Sequence, residues 1–105
     1  MIYVTTSEIQ GKKIVKTIGV VKGSSVRAKW FGADIIANIR NVFGGEIVEY
    51  SNLLDQTRQK AIDRMLEDAK ANGANAIVNV RFASSQIGQQ AAEILVYGTA
   101  VVVKL

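Results

Sequence analysis

Tyr50-Ser51-Asn52-Leu53-Leu54, running on to Lys70-Ala71-Asn72-Gly73 and then Ala74-Asn75-Ala76-Ile77-Val78-Asn79, is the stretch on which the fold turns. At about 3.6 residues per turn, Tyr50, Leu53, Leu54, Thr57, Ala61 and Met65 share one helical face, and Ile62, Leu66 and Ala69 widen it. Gln56, Gln59, Asp63, Glu67 and Lys70 fall on the opposite side. The pattern predicts one long helix with Ser51 as its N-cap. The apolar arc is wider than one sheet face requires, which predicts a second contact, with another helix or another subunit. Gly73 stops the helix, because the left-handed conformation after a last turn suits glycine. Beyond it, Ala76, Val78, Val80 and Phe82 alternate with Ile77, Asn79, Arg81 and Ala83. The period drops from 3.6 to 2, so the chain has become a strand.

Outward from this core, the N-terminal side reads as two strands. Ile2–Thr6 is short and apolar. After a turn at Ser7–Gly11, residues 12–22 set Ile14, Lys16, Ile18 and Val20 against Val15, Thr17, Gly19 and Val21, a β-branched strand with lysines near its ends. Gly23-Ser24-Ser25 is expected to break or bend it. A shorter helix follows, carrying Phe31, Ile35, Ile36, Ile39, Val42 and Phe43, and Gly44-Gly45 ends it. On the C-terminal side, Ser84–Gln90 is small and polar and reads as a loop. Glu93–Leu105 is a closing strand, apolar on both faces, with Gly98 as its expected bend. At about 3.3 Å per residue that strand reaches roughly 43 Å, whereas a compact domain of this length is only some 35 Å across. A two-faced apolar strand without proline projecting from its own subunit invites a partner. The expectation is a closed homo-oligomer.

Composition narrows the chemistry. The chain has 105 residues, about half of them apolar, and neither cysteine nor histidine. That excludes disulfides, thiolate nucleophiles and imidazole bases, and it removes the best ligands for soft metals. One domain, residues 1–105, is expected. No apolar run is long enough for a membrane span, and the N-terminus lacks a signal-peptide pattern, so cytoplasmic residence is expected. The net charge of +4 is uneven. Lys12, Lys13, Lys16, Lys22, Arg27, Lys29 and Arg40 outnumber Glu8 and Asp34 in residues 1–40, a surplus that could attract an anionic small ligand.

Gly19-Val20-Val21-Lys22-Gly23-Ser24-Ser25 fails as a phosphate loop, because its lysine precedes the second glycine. Arg58 lies at the edge of the apolar arc, with Asp55 three residues before it. It is placed either for an ion pair or to hold an anion in a cleft between subunits. Asn79, a polar residue inside an apolar strand, raises the same choice. The sparse aromatics do not interleave with lysines, so nucleic-acid binding has no support.

Thr5-Thr6, Gly19-Val20-Val21-Lys22-Gly23, Ile39-Arg40 with Gly44-Gly45, Tyr50 opening a helix that holds Arg58, Gly73-Ala74-Asn75-Ala76-Ile77-Val78 and Gly98-Thr99-Ala100-Val101 occur in this order. Together they resemble the YbjQ-like family, of unknown function and labelled heavy-metal-binding. The resemblance covers nearly the whole chain. It implies an α+β subunit, β-β-α-α-β-β in order, whose curled antiparallel sheet packs on one long and one shorter helix. It also implies a ring-like homo-oligomer, a pentamer. Glu46 stands where the family usually has a basic residue after the double glycine. Arg40, Tyr50, Arg58 and Asn79 are the candidate ligand-binding residues. No catalytic residue, metal ligand or cofactor is assigned. The expected function is a homo-oligomeric binding or scaffold module with sites at subunit interfaces. The alternatives are metal binding through carboxylates, or an enzyme that works without cysteine or histidine.

Overall fold

The structure is a computed structural model and describes residues 1–28, 48–87 and 91–105. Its elements are β1 (Ile2–Tyr3), β2 (Lys13–Ala28), α1 (Val48–Ala71), β3 (Ala76–Ile87) and β4 (Ala91–Lys104). The four strands form one open sheet in the order β1-β3-β4-β2. β4 pairs antiparallel with both β2 and β3. β1 runs parallel to β3, with Ile2 opposite Ala76, so the sheet is mixed rather than wholly antiparallel as expected. The reason lies in the connection. α1 carries the chain back across the sheet, so β3 starts at the same end as β1. The expected shorter helix and Arg40 lie outside the described residues.

α1 begins at Val48, ahead of the expected Ser51 cap. Its buried stripe is Thr57, Ala61, Met65 and Ala69, each four residues from the last and each almost wholly excluded from water, as the helical spacing predicts. Against it lie Val21 from β2, Ile77 and Val80 from β3, and Val96 and Ala100 from β4. A second cluster, Ala76, Val78 and Val101, lies on the opposite face, covered by Val4, Ile9, Ile14 and Val103. The sheet therefore buries apolar side chains on both faces at this end.

Two strands run further than expected. β2 continues through Gly23-Ser24-Ser25 without a break, paired with Val96, Leu95 and Ile94. These small residues leave room for α1. Gly23 lies under the backbone of Ala61, Arg64 and Met65, and Ser25 is buried. Along the same stretch the helix closes off the strand's outer edge. The Asp68 carboxylate accepts a hydrogen bond from the Lys22 backbone N–H at 3.1 Å, and the Arg64 guanidinium donates to the Ser24 carbonyl. β3 likewise continues through Ser84 to Ile87, where the composition suggested a loop. Its partner β4 supplies a complete ladder there, and that pairing outweighs local preference.

The bend falls on β3 rather than at Gly98. The register between β3 and β4 shifts between Val78 and Arg81. Asn79 takes a left-handed φ of 53°, a conformation asparagine tolerates better than most residues. The extra residue makes a β-bulge. Its N–H donates to the Thr6 carbonyl at 2.9 Å, while Val4 bonds Ile77 and Val80 on either side. Asn79 is thus an exposed bulge residue held by the N-terminal strand, not a buried one. In β2, the register with β4 shifts between Thr17 and Gly19, and Gly19 takes a φ of 142°. Gly98 is glycine for a different reason. A Cβ there would come within 2.7 Å of Ile77 Cγ2, 3.0 Å of the Val78 carbonyl oxygen and 3.2 Å of Val80 Cγ2. Gly98→Val is expected to cost about 3 kcal/mol by overpacking within the subunit, measured as a lowered midpoint of thermal unfolding. An unchanged melt would show that β3 yields freely.

The long strands stretch the molecule to 55 × 26 × 17 Å, with a radius of gyration of 17.2 Å. A compact chain of this length would have about 13 Å.

Candidate functional site

α1 rests mainly on β2 and β4. Small Gly23 and Ser25 draw it toward β2. By register, Phe82 stands opposite Val96 and Ser84 opposite Ile94. Val96 belongs to the core under the helix, so Phe82 and Ser84 project from that same face. Val96 is fully covered, whereas Phe82 is 51% exposed. The space left between the helix and this part of the β3–β4 hairpin is an open groove of about 470 Å³.

Leu54, Thr57 and Arg58 form its helix wall. Phe82, Ala83 and Ser84 form one strand wall, and Ala92, Glu93 and Ile94 the other. The lining is mostly apolar, with Arg58 its cationic residue. Glu93 stands opposite Val26 and Ser85, so its side chain leaves the sheet on the face away from α1. Arg58 Nη1 sits 2.9 Å from Asp55 Oδ1, with both side chains at least half exposed. A surface pair of this kind contributes at most about 1 kcal/mol, so the guanidinium is held in place weakly. Such a groove can bind an amphipathic molecule, with an apolar body on Phe82 and Ile94 and an anionic group near Arg58.

Of the four expected site residues, the groove contains Arg58. Asn79 lies at the bulge, outside the lining, and its backbone serves the N-terminal strand. The Tyr50 backbone belongs to the first described turn of α1, and its side chain lies outside the described residues, as does Arg40. Of the two whose side chains are described, Arg58 lines the groove and Asn79 does not. Phe82 and Ser84 were not among the expected site residues. In unbroken alternation Phe82 would share a face with Ala76 and Val78. The bulge at Asn79 reverses the phase and turns Phe82 toward the helix. An αL-tolerant asparagine between two valines was the available signal.

The family model described as "Putative heavy-metal-binding", the YbjQ model, matches residues 1–104. The chain belongs to the YbjQ-like family. Among its relatives, a UPF0145 protein of Methanosarcina acetivorans is 54% identical over 96% of this chain and 95% of its own. A UPF0145 protein of Pyrococcus abyssi is 50% identical over 99% and 91%. The crystal structure of a DUF74-family protein of unknown function from Pediococcus pentosaceus matches the fold with a TM-score of 0.66. It is 16% identical and covers 99% of this chain and 98% of that one.

The metal in the family's description does not suit this YbjQ-like chain. It has no thiol and no imidazole to offer, and among the described residues no three carboxylates converge. A soft heavy metal requires such donors. No described helix is long and apolar enough to cross a membrane.

Proposed function

We propose that this protein is a homo-oligomeric binding or scaffold module, with its sites where subunits meet. The observation that carries this reading is the reach of the sheet. β2 and β4 span sixteen and fourteen residues, and they leave large apolar side chains in water. Val20 is 77% exposed, and Val26 and Tyr97 are also uncovered. By register all three project from the face away from α1. β2 is an edge strand, and β1 pairs with β3 only at Ala76 and Ile77. Past the bulge, therefore, no described strand covers the outer edge of β3. Outside the Lys22–Ser24 stretch that α1 covers, β2 too presents an open edge. Open edges on opposite sides of one sheet suit head-to-tail assembly, which closes as a ring when the rotation permits. The ring is a pentamer, as the family resemblance implies. The groove beside Arg58 adjoins this uncovered part of the sheet and receives a small anionic ligand there.

Analytical ultracentrifugation at micromolar concentration tests the assembly. The expected result is one species of about five subunit masses that persists on dilution. A durable monomer would remove the reading. Native mass spectrometry of protein purified gently from cells tests the guest. Extra mass that disappears in Arg58→Ala supports the groove as its seat, and extra mass unaffected by that change places it elsewhere.

A further inference from the structure

The opposite end of the sheet carries concentrated positive charge. Lys13 stands directly across from Lys104 in the β2–β4 ladder, and Lys16 stands across from Val102. Ile14, Val101 and Val103 belong to the cluster on the face away from α1. Alternation then sends Lys13, Lys16 and Lys104 out of the helix-bearing face. All three are exposed. α1 ends at Ala71, and the chain rejoins the sheet at Ala76 opposite Val101.

Directly opposed residues in such a ladder have Cβ atoms about 5 Å apart, and like charges there repel. Among the described residues no carboxylate forms an ion pair with any of these lysines. Guarding an edge explains lysines on β2. It does not explain Lys104, which lies on β4, an interior strand. Beside the pair, the turn from Ile9 to Lys12 is closed by a 3.1 Å bond from the Lys12 N–H to the Ile9 carbonyl, with Gly11 at a φ of 80°. This turn shapes a concavity at the sheet edge lined by Lys12 and Lys13 together with Ile9 and Ile14, with Glu8 its one acidic side chain. Lys16 and Lys104 lie outside that lining, and Lys13 is the residue common to both.

We propose that this end of the sheet binds a short polyphosphate chain, free or as part of a nucleotide. Ammonium groups are compact point charges that suit phosphate oxygens without demanding a planar fork. Residues 102 and 104 of β4 set a spacing of roughly 7 Å along the sheet, enough for two or three linked phosphates and too short for a nucleic-acid track. Phe82 and Tyr97, which could stack bases, lie far along the strands from Lys104.

Calorimetry with inorganic tripolyphosphate at about 0.15 M ionic strength, where exposed charges more than about 8 Å apart are screened, tests this site. The expected result is saturable binding that Lys104→Gln weakens by about tenfold or more, as loss of one charge-assisted contact would. Lys60→Gln, on the exposed side of α1, leaves it unchanged. Without ligand, Lys104→Gln melts at the same temperature or higher, because it relieves repulsion. ATP binding as well as tripolyphosphate identifies the phosphate chain as what is recognised, and tighter ATP binding adds a nucleoside contact to it. Absence of saturable binding, equal binding in Lys104→Gln, or binding of a single-stranded oligonucleotide but not tripolyphosphate would each overturn the proposal.

Discussion

Gly23→Ala is expected to lower the thermal midpoint by more than 10 °C, and Gly23→Val to prevent α1 from docking. Gly23 is buried beneath the helix. A Cβ added there overlaps the Ala61 carbonyl oxygen and the Met65 amide nitrogen, and comes within 2.9 Å of the Arg64 carbonyl carbon. These are backbone atoms, so no rotamer change relieves the overlap and the helix must lift as a unit. Lifting opens gaps around Val21, Met65 and Val96, which forfeits dispersion contacts. It also stretches the Asp68 and Arg64 bonds that hold the helix to the β2 edge. Overpacking typically costs 1–3 kcal/mol, and an unyielding obstacle puts alanine at about 3 kcal/mol. At about 4 °C or more per kcal/mol for a domain of this size, the shift exceeds 10 °C. Circular dichroism melts measure it. An alanine variant melting within a degree or two of the parent would mean that helix and strand do not meet this closely.

The second large effect is Ala61→Asp. Ala61 is wholly excluded from water at the centre of the helix–sheet seam, directly over Gly23. The side chains packed around it are apolar, and Arg64, three residues on, is already engaged with the Ser24 carbonyl. An uncompensated buried charge costs about 3–5 kcal/mol, comparable with the whole stability of a small domain. The variant is expected to be largely unfolded at 25 °C by near-ultraviolet circular dichroism. Lys60→Asp, one residue away and exposed, should change stability by no more than about 0.5 kcal/mol. If Ala61→Asp melted like Lys60→Asp, the helix would have to be rotated from the position described.

The two variants probe one seam from its two sides, and the sequence revealed them unequally. Ala61 sat in a regular stripe with Thr57, Met65 and Ala69, and such a stripe states its own orientation. Gly23 looked like a strand breaker, because a glycine followed by two serines is what a turn uses. Its meaning depends on a helix almost forty residues later in the chain. Phe82 was misplaced for a related reason. Its face depends on how many residues separate it from Ile77, and the bulge at Asn79 adds one. For the candidate site, Arg58 was legible as a charge at the margin of an apolar arc. Its neighbours Phe82, Ser84 and Ile94 come from two strands whose register no local pattern records.

By itself the sequence determined the long helix, its buried face, its stop at Gly73, the change of period after Ala74, and membership in the family. Each is written in neighbouring side chains, where local spacing and backbone preference act alone. Only the tertiary structure decided that β1 runs parallel to β3, that β2 and β3 continue through their serines, and that Gly98 serves packing rather than bending. It also decided which lysines face each other across the sheet. These depend on contacts between distant segments, because a ladder or a close approach is specified jointly by two pieces of chain and by neither alone.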